Sequence, residues 1–249
     1  MTVSLWTCAQ AASAFNGGTQ LGDQLEAAGR TWHSYMDGTS TKCFHAPYVA
    51  GDTSPDPYQG NSTKAPAYNY ADRHNPFIYF TDFIGNQARC EAHQRPYTDL
   101  AATLASTSTN PHLPAFSFIT PDTCHDGHDS PCAGQTSGGG LLAMDAWLQT
   151  NLPPLVKYLK ANHGLLIINF DESNPASPQP AVCPTCAGGG AGGQTGALLL
   201  GAGLAPGTTV TTGYDHYSLL RTIEDSFGIS DHLGLAAGAQ PMTAAFAKP

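Results

Sequence analysis

A chain of 249 residues with 41% apolar side chains can bury one large core or two small ones, and its length does not argue for a split. The formal charge of −9 and pI near 5.4 disfavour nucleic acid and anionic membrane surfaces as partners, since both are themselves negative. No window approaches the ~18 apolar residues a membrane span needs, and the opening MTVSLWTCAQ shows no basic and apolar regions of a signal peptide.

In chain order, residues 21–35 (LGDQLEAAGRTWHSY) read as a short amphipathic helix with Leu21, Leu25 and Ala28 on one face. Gly29 is its stop and a strand follows. Residues 42–75 lack periodicity and are rich in Pro, Gly and Asn, which predicts a long surface excursion. His74 then stands just before RHNPFIYF becomes an aromatic strand. A short helix is expected over 98–105, and 115–120 (AFSFIT) alternates like a strand before running into PDTCHDGHD. Residues 141–161 predict a helix that Pro153 and Pro154 must break or restart. GLLIINF at 164–170 is a continuous apolar run, the habit of a parallel strand buried on both faces, and it ends at Asp171 and Glu172. Residues 175–193 are low-complexity loop, 197–200 (ALLL) a short core strand, and 216–227 an amphipathic helix. That helix turns Leu219, Leu220 and Ile223 inward and ends at Gly228. Residues 1–249 are read as a single domain with a partly ordered tail over 236–249. Polar clusters at strand ends describe a wound α/β sheet, which binds ligands there.

The seven cysteines lie mostly in Gly/Pro/Ser/Thr-rich stretches, as disulfides of exported proteins do. Cys124 with Cys132 and Cys183 with Cys186 are spaced for local staples, and Cys8 with Cys43 for a longer one; the odd count leaves one thiol over. The CPTC has no second CxxC and lies in a glycine run, so a disulfide suits it better than zinc or redox chemistry. A secreted or periplasmic protein is expected. No phosphate-binding P-loop, dinucleotide glycine fingerprint or GxSxG elbow is present.

Three clusters place metal-ligand side chains just after a predicted strand or at a helix start. Asp122, His125, Asp126, His128 and Asp129 form the first; they read either as a solvated acidic turn or as a metal or phosphate site, since such charge cannot be buried unpaired. Asp171 and Glu172 form the second, and a helix N-cap is a poor alternative with Pro175 and glycines following. Asp215 and His216 form the third, where an N-cap and a surface histidine are an equal reading. Mixed imidazole and carboxylate donors suit zinc or manganese, and all-oxygen shells suit magnesium or calcium.

In order and spacing PDTCHDGHD, LLIINFDES and DHYSLLRTIEDSFGI resemble the phosphoesterase family of bacterial phospholipases C and secreted acid phosphatases, within the alkaline-phosphatase superfamily. RHNPFIYF and LGDQLEAAGRTWHSYMDG support the match, which covers residues 21–229. The resemblance implies a three-layer α/β/α sandwich with divalent metal at the C-terminal edge of its sheet. It implies Asp171 and Glu172 as ligands at one metal position, and Asp126, His128 and His216 as ligands or phosphate contacts at the second. Asp122 stands in second rank, and His128 and His74 are the candidate catalytic histidines. Hydrolysis of small phosphate monoesters is the expected activity, with phospholipase C-type diester cleavage the alternative. The family's first strand, its Glu-Asn-like metal motif and its His-Pro-Ser/Thr nucleophile segment have no counterpart here. The chain is therefore expected to be truncated upstream and to lack a nucleophile, which makes a non-catalytic metal- or phosphate-binding remnant the rival reading.

Overall fold

The computed structural model describes residues 18–45, 69–106, 112–132, 135–173 and 193–246. The described residues form an α/β fold with a parallel sheet, and they fall into two compact units divided after Pro154.

The larger unit begins with helix α1 (Leu21–Ala27), whose start is fixed by a reciprocal cap: Gln20 and Asp23 side chains each accept a main-chain N–H of the other's turn. Gly29, at φ +66°, ends it in the left-handed conformation. Strand β1 (Trp32–Met36) follows and becomes the centre of a three-stranded parallel sheet. Its neighbours are β2 (Gln94–Pro96) and β3 (Phe116–Thr120), with Ser34 opposite both Gln94 and Phe118. Alternation along β1 gives two packed faces. On one, fully buried Trp32 meets Phe77 and Phe83 at ring distances of 4.6 and 5.8 Å and stacks on His93 at 4.4 Å. Removing an indole of this size from water is worth roughly 4–5 kcal/mol before entropy is counted. Gly22 of α1 is obligatory beneath it, because a Cβ there would lie 2.4 Å from the indole ring. On the other face Tyr35 packs with Tyr97 and Leu100 of helix α4 (Tyr97–Ala105), joined by Ile119 and Trp147.

Between β1 and β2 lie two single-turn 3-10 segments, Asp72–His74 and Pro76–Tyr79, and helices α2 (Thr81–Ile84) and α3 (Gln87–His93). The aromatic segment after His74 is thus a 3-10 turn and not a strand: Pro76 fixes the first helical φ, and Asn75 before it is held extended. The end of the expected surface excursion is also buried, since Tyr70, Ala71, Asp72 and Asn75 are at most 2% exposed; residues 46–68 lie outside the described residues.

Helix α5 (Gly140–Ala161) runs on through Pro153 and Pro154, contrary to the expected break. The prolines mark instead the division between the two units. In the smaller unit β4 (Leu165–Asn169) pairs with β5 (Ala197–Gly201), and the pairing is antiparallel, not parallel as its apolar run suggested. Leu165, Leu166, Ile167 and Ile168 are half-buried and Asn169 is exposed. Apolarity reports burial and carries no information on strand direction, so the misreading has a plain cause. Helix α6 (His216–Ser226) is capped by Asp215, which accepts the Ser218 N–H, and ends at Gly228 with φ +74°. Its Arg221 bonds the carbonyls of Ala236 and Ala237, and the Glu224 carboxylate accepts the Leu233 N–H, so residues 233–242 are pinned to it and Ala236, Ala239 and Met242 are buried.

Two disulfides are described. Cys124–Cys132 is the expected local staple. Cys43 pairs with Cys90 and not with Cys8: the stretch after β1 returns to the start of β2, where the Cys43 N–H donates to the Gln94 carbonyl at 3.2 Å, and helix α3 leads into that strand. Cys8, Cys183 and Cys186 lie outside the described residues.

Candidate functional site

Two adjacent parallel strands end in acidic residues at the same sheet edge: β1 in Asp37 and β3 in Pro121 and Asp122. The edge is tied across by the Asp37 N–H donating to the Thr120 carbonyl at 3.0 Å. From there the loop 122–129 is built by its own carboxylates. Asp122 Oδ1 accepts the N–H groups of Cys124 and His125 at 3.0 and 3.1 Å, and Asp126 Oδ1 those of His128 and Asp129 at 2.8 and 3.2 Å. Such Asx turns are how aspartates fold short loops. The Cys124–Cys132 bridge and the Gly140 N–H, donated to the Asp129 carbonyl at 2.8 Å, close the loop from outside.

The outer half of the loop gathers Asp126, His128 and Asp129, whose ligand atoms lie within 4.8 Å of one another. His74 Nε2 faces Asp126 Oδ2 at 4.0 Å, and the Thr120 hydroxyl donates to the His74 carbonyl at 3.2 Å, which ties that residue to the end of β3. His128 Nδ1 is 3.3 Å from Asp129 Oδ1, yet its side chain is 87% exposed. Arg73 adds a positive charge 3.4 Å from Asp129 Oδ2. Two imidazoles, two carboxylates and a guanidinium therefore stand together, a set able to hold a divalent cation beside an anion.

The inner half is a separate, more buried group. Asp37 Oδ2 accepts from His125 Nδ1 at 3.0 Å and from Trp147 Nε1 at 2.9 Å, while His125 Nδ1 also lies 2.7 Å from Asp122 Oδ1. Burial, then the Asp37 charge, pushes the Asp122 carboxyl above the ordinary aspartate value. Burial and the same charge raise the Tyr97 hydroxyl to about 12. Cys124 cannot serve as a ligand here because its sulfur is in the disulfide.

In the smaller unit Asp171, Glu172 and His216 are not gathered as in the loop 122–129, and one main-chain contact links two of them. Asp171 and Glu172 are exposed just beyond β4, and His216, the first residue of α6, places Nε2 2.7 Å from the Asp171 carbonyl oxygen. A carbonyl only accepts, so Nε2 carries the hydrogen and Nδ1 is left with its lone pair when the ring is neutral. Asp215 is consumed as the N-cap of α6, whereas His216 is not an idle surface residue.

The sequence reading missed Asp37. Its signal was the one used for Asp122 and Asp171, an acid at the end of a predicted strand, but a single acid in YMDG is less conspicuous than a cluster. The glycine that follows it, Gly38, takes φ +77° in the structure.

Residues 8–230 match a family model described as Phosphoesterase family. The chain is similar to a probable acid phosphatase of Kluyveromyces lactis, 28% identical over 85% of this chain and 42% of the relative. It is similar to a phosphatidylinositol-3-phosphatase of Mycobacterium tuberculosis, at 26% over 92% of this chain and 59% of the relative. An acid phosphatase of Aspergillus fumigatus is 25% identical over 83% of this chain and 39% of the relative. The chain thus spans between 39% and 59% of the length of these relatives. No solved structure matches it.

Proposed function

The chain belongs to the Phosphoesterase family, and from that premise we propose that it handles metal and phosphate for a phosphoric ester hydrolase of the acid-phosphatase type. The observation that carries this reading is the gathering of Asp126, His128, Asp129 and His74 beyond the end of β3, within the matched region. Two relatives named as acid phosphatases support a phosphomonoester as the substrate class.

The donor set of the loop 122–129 fits a divalent cation. In the larger unit Asp126 and His128 are the ligands, with His74 toward the substrate; in the smaller unit Asp171, Glu172 and His216 are the ligands. Imidazole with carboxylate favours zinc or manganese over magnesium or calcium. A bound cation would neutralise charge on the phosphoryl oxygens. The chain's own residues do the rest: Arg73 offers a guanidinium for a non-bridging oxygen, and His74, 4.0 Å from Asp126 Oδ2, stands beside the ligand loop on the side given to the substrate. The three-layer sandwich of the superfamily is the architecture we assign. Two disulfides support an oxidising, exported setting. Among the described residues no helix is long and apolar enough to cross a membrane, and a small phosphorylated molecule is the proposed partner.

Titration calorimetry with manganese or zinc, then with inorganic phosphate, tests the reading, alongside turnover of p-nitrophenyl phosphate and of its bis-ester. The chain is expected to bind metal and, with metal present, phosphate. Asp126→Asn and Asp171→Asn are each expected to weaken metal binding at least about tenfold. A folded chain that binds neither metal nor phosphate sinks the proposal, and preference for the bis-ester would move it to the diesterase class.

A further inference from the structure

Asp37 lies outside every residue so far given a role toward metal or phosphate, yet side chains from two other elements of the site's framework converge on it. It follows the central strand β1, and its one oxygen, Oδ2, accepts hydrogen bonds from His125 in the loop and from Trp147 in α5. His125 in turn is held by Asp122, which also accepts the loop's own N–H groups at Cys124 and His125. The next residue, Gly38, admits this packing: a Cβ there would be 2.9 Å from Asp122 Cβ and 2.6 Å from the Tyr70 nitrogen. Three elements that share no local sequence are thereby locked at one carboxylate. The loop fixed by that lock is the one that presents Asp126 and His128.

We propose that Asp37 is a positioning residue, which through His125 and Trp147 holds the loop 122–129 in the form that presents Asp126 and His128. The inference rests on the function proposed above for those two residues. A carboxylate is suited to the task, because one oxygen accepts two donors and the charge strengthens both bonds. Partners one step behind metal ligands commonly change affinity by about 10–100-fold when removed.

The test compares Asp37→Ala with Asp37→Asn, which keeps an acceptor oxygen of the same reach. Amide hydrogen exchange is read at Cys124, His125, His128 and Asp129, with β3 as internal reference, and manganese affinity is read well below the unfolding temperature. Asp37→Ala is expected to speed exchange at those four amides about tenfold or more and to weaken manganese about tenfold, with β3 protection unchanged. Asp37→Asn should recover most of both. Loop exchange in Asp37→Ala equal to the parent's overturns the proposal, as does a loss spread evenly over β3 and the loop, which is the mark of a general stability role. If the parent binds no manganese, the function proposed for Asp126 and His128 falls by itself, and the loop exchange still decides whether Asp37 holds it.

Discussion

His33 lies within β1 and Gly38 just beyond its end, and each makes its constraint measurable. At φ +77° an alanine at position 38 is strained by its backbone alone, and its Cβ meets main-chain atoms that cannot rotate away. Gly38→Ala should therefore cost on the order of 1–3 kcal/mol in urea unfolding, more than a glycine in an open turn such as Gly207, whose added Cβ meets nothing within 4 Å. His33 bonds the Tyr35 hydroxyl at 2.9 Å, and burial, then Arg95 and His93, push its imidazole down from 6.5 to about 4. The folded chain thus disfavours the protonated ring that the unfolded chain accepts. Its contribution to stability is full above pH 6.5 and is lost as pH falls toward 4. In His33→Gln the decline of the unfolding midpoint across that window should flatten, while stability above pH 7 changes little.

At the scale of elements, the readable parts of the sequence were those with a local cause. Helix α6 was legible because Asp215 and Gly228 mark its ends and its apolar spacing is helical, and β3 because it alternates. The outer donor cluster was legible because five ligand-type residues crowd into eight positions of one loop. What escaped depended on distant partners. The antiparallel pairing of β4 follows from β5, about thirty residues on, and nothing in LLIIN states it. The Cys43–Cys90 bridge and the Asp37–His125–Trp147 contacts join segments far apart in sequence, which periodicity cannot see. The two disulfides differ in the same respect, one closing 8 residues and the other 47. On chain entropy alone, replacing Cys124 and Cys132 by serine should cost roughly 2–3 kcal/mol and replacing Cys43 and Cys90 about 4 kcal/mol. Guanidinium unfolding of the two double variants checks the order.

For the whole molecule, the charge of −9 sets the problem that the candidate residues answer. An anion approaching this chain meets repulsion at long range, so any attraction has to be local, as from the Arg73 guanidinium beside Asp129. The gathered donor groups lie in the larger unit, and the division after Pro154 puts Asp171, Glu172 and His216 in the other. The order of synthesis adds a further consequence of the sheet order β2-β1-β3. The central strand is made first, and Trp32 waits for Phe116, its partner in β3, for roughly 5–15 s at ordinary rates of translation. Until β2 is made the central strand has both edges open to any passing chain, and until β3 is made it still has one. In an oxidising compartment Cys43 can be joined to Cys90 before β3 emerges, and β2 is then tethered beside β1 by only the short stretches 37–43 and 90–93. In such a compartment the bridge would act as an early guard for an exposed edge, closing one side of the central strand while the other is still being made.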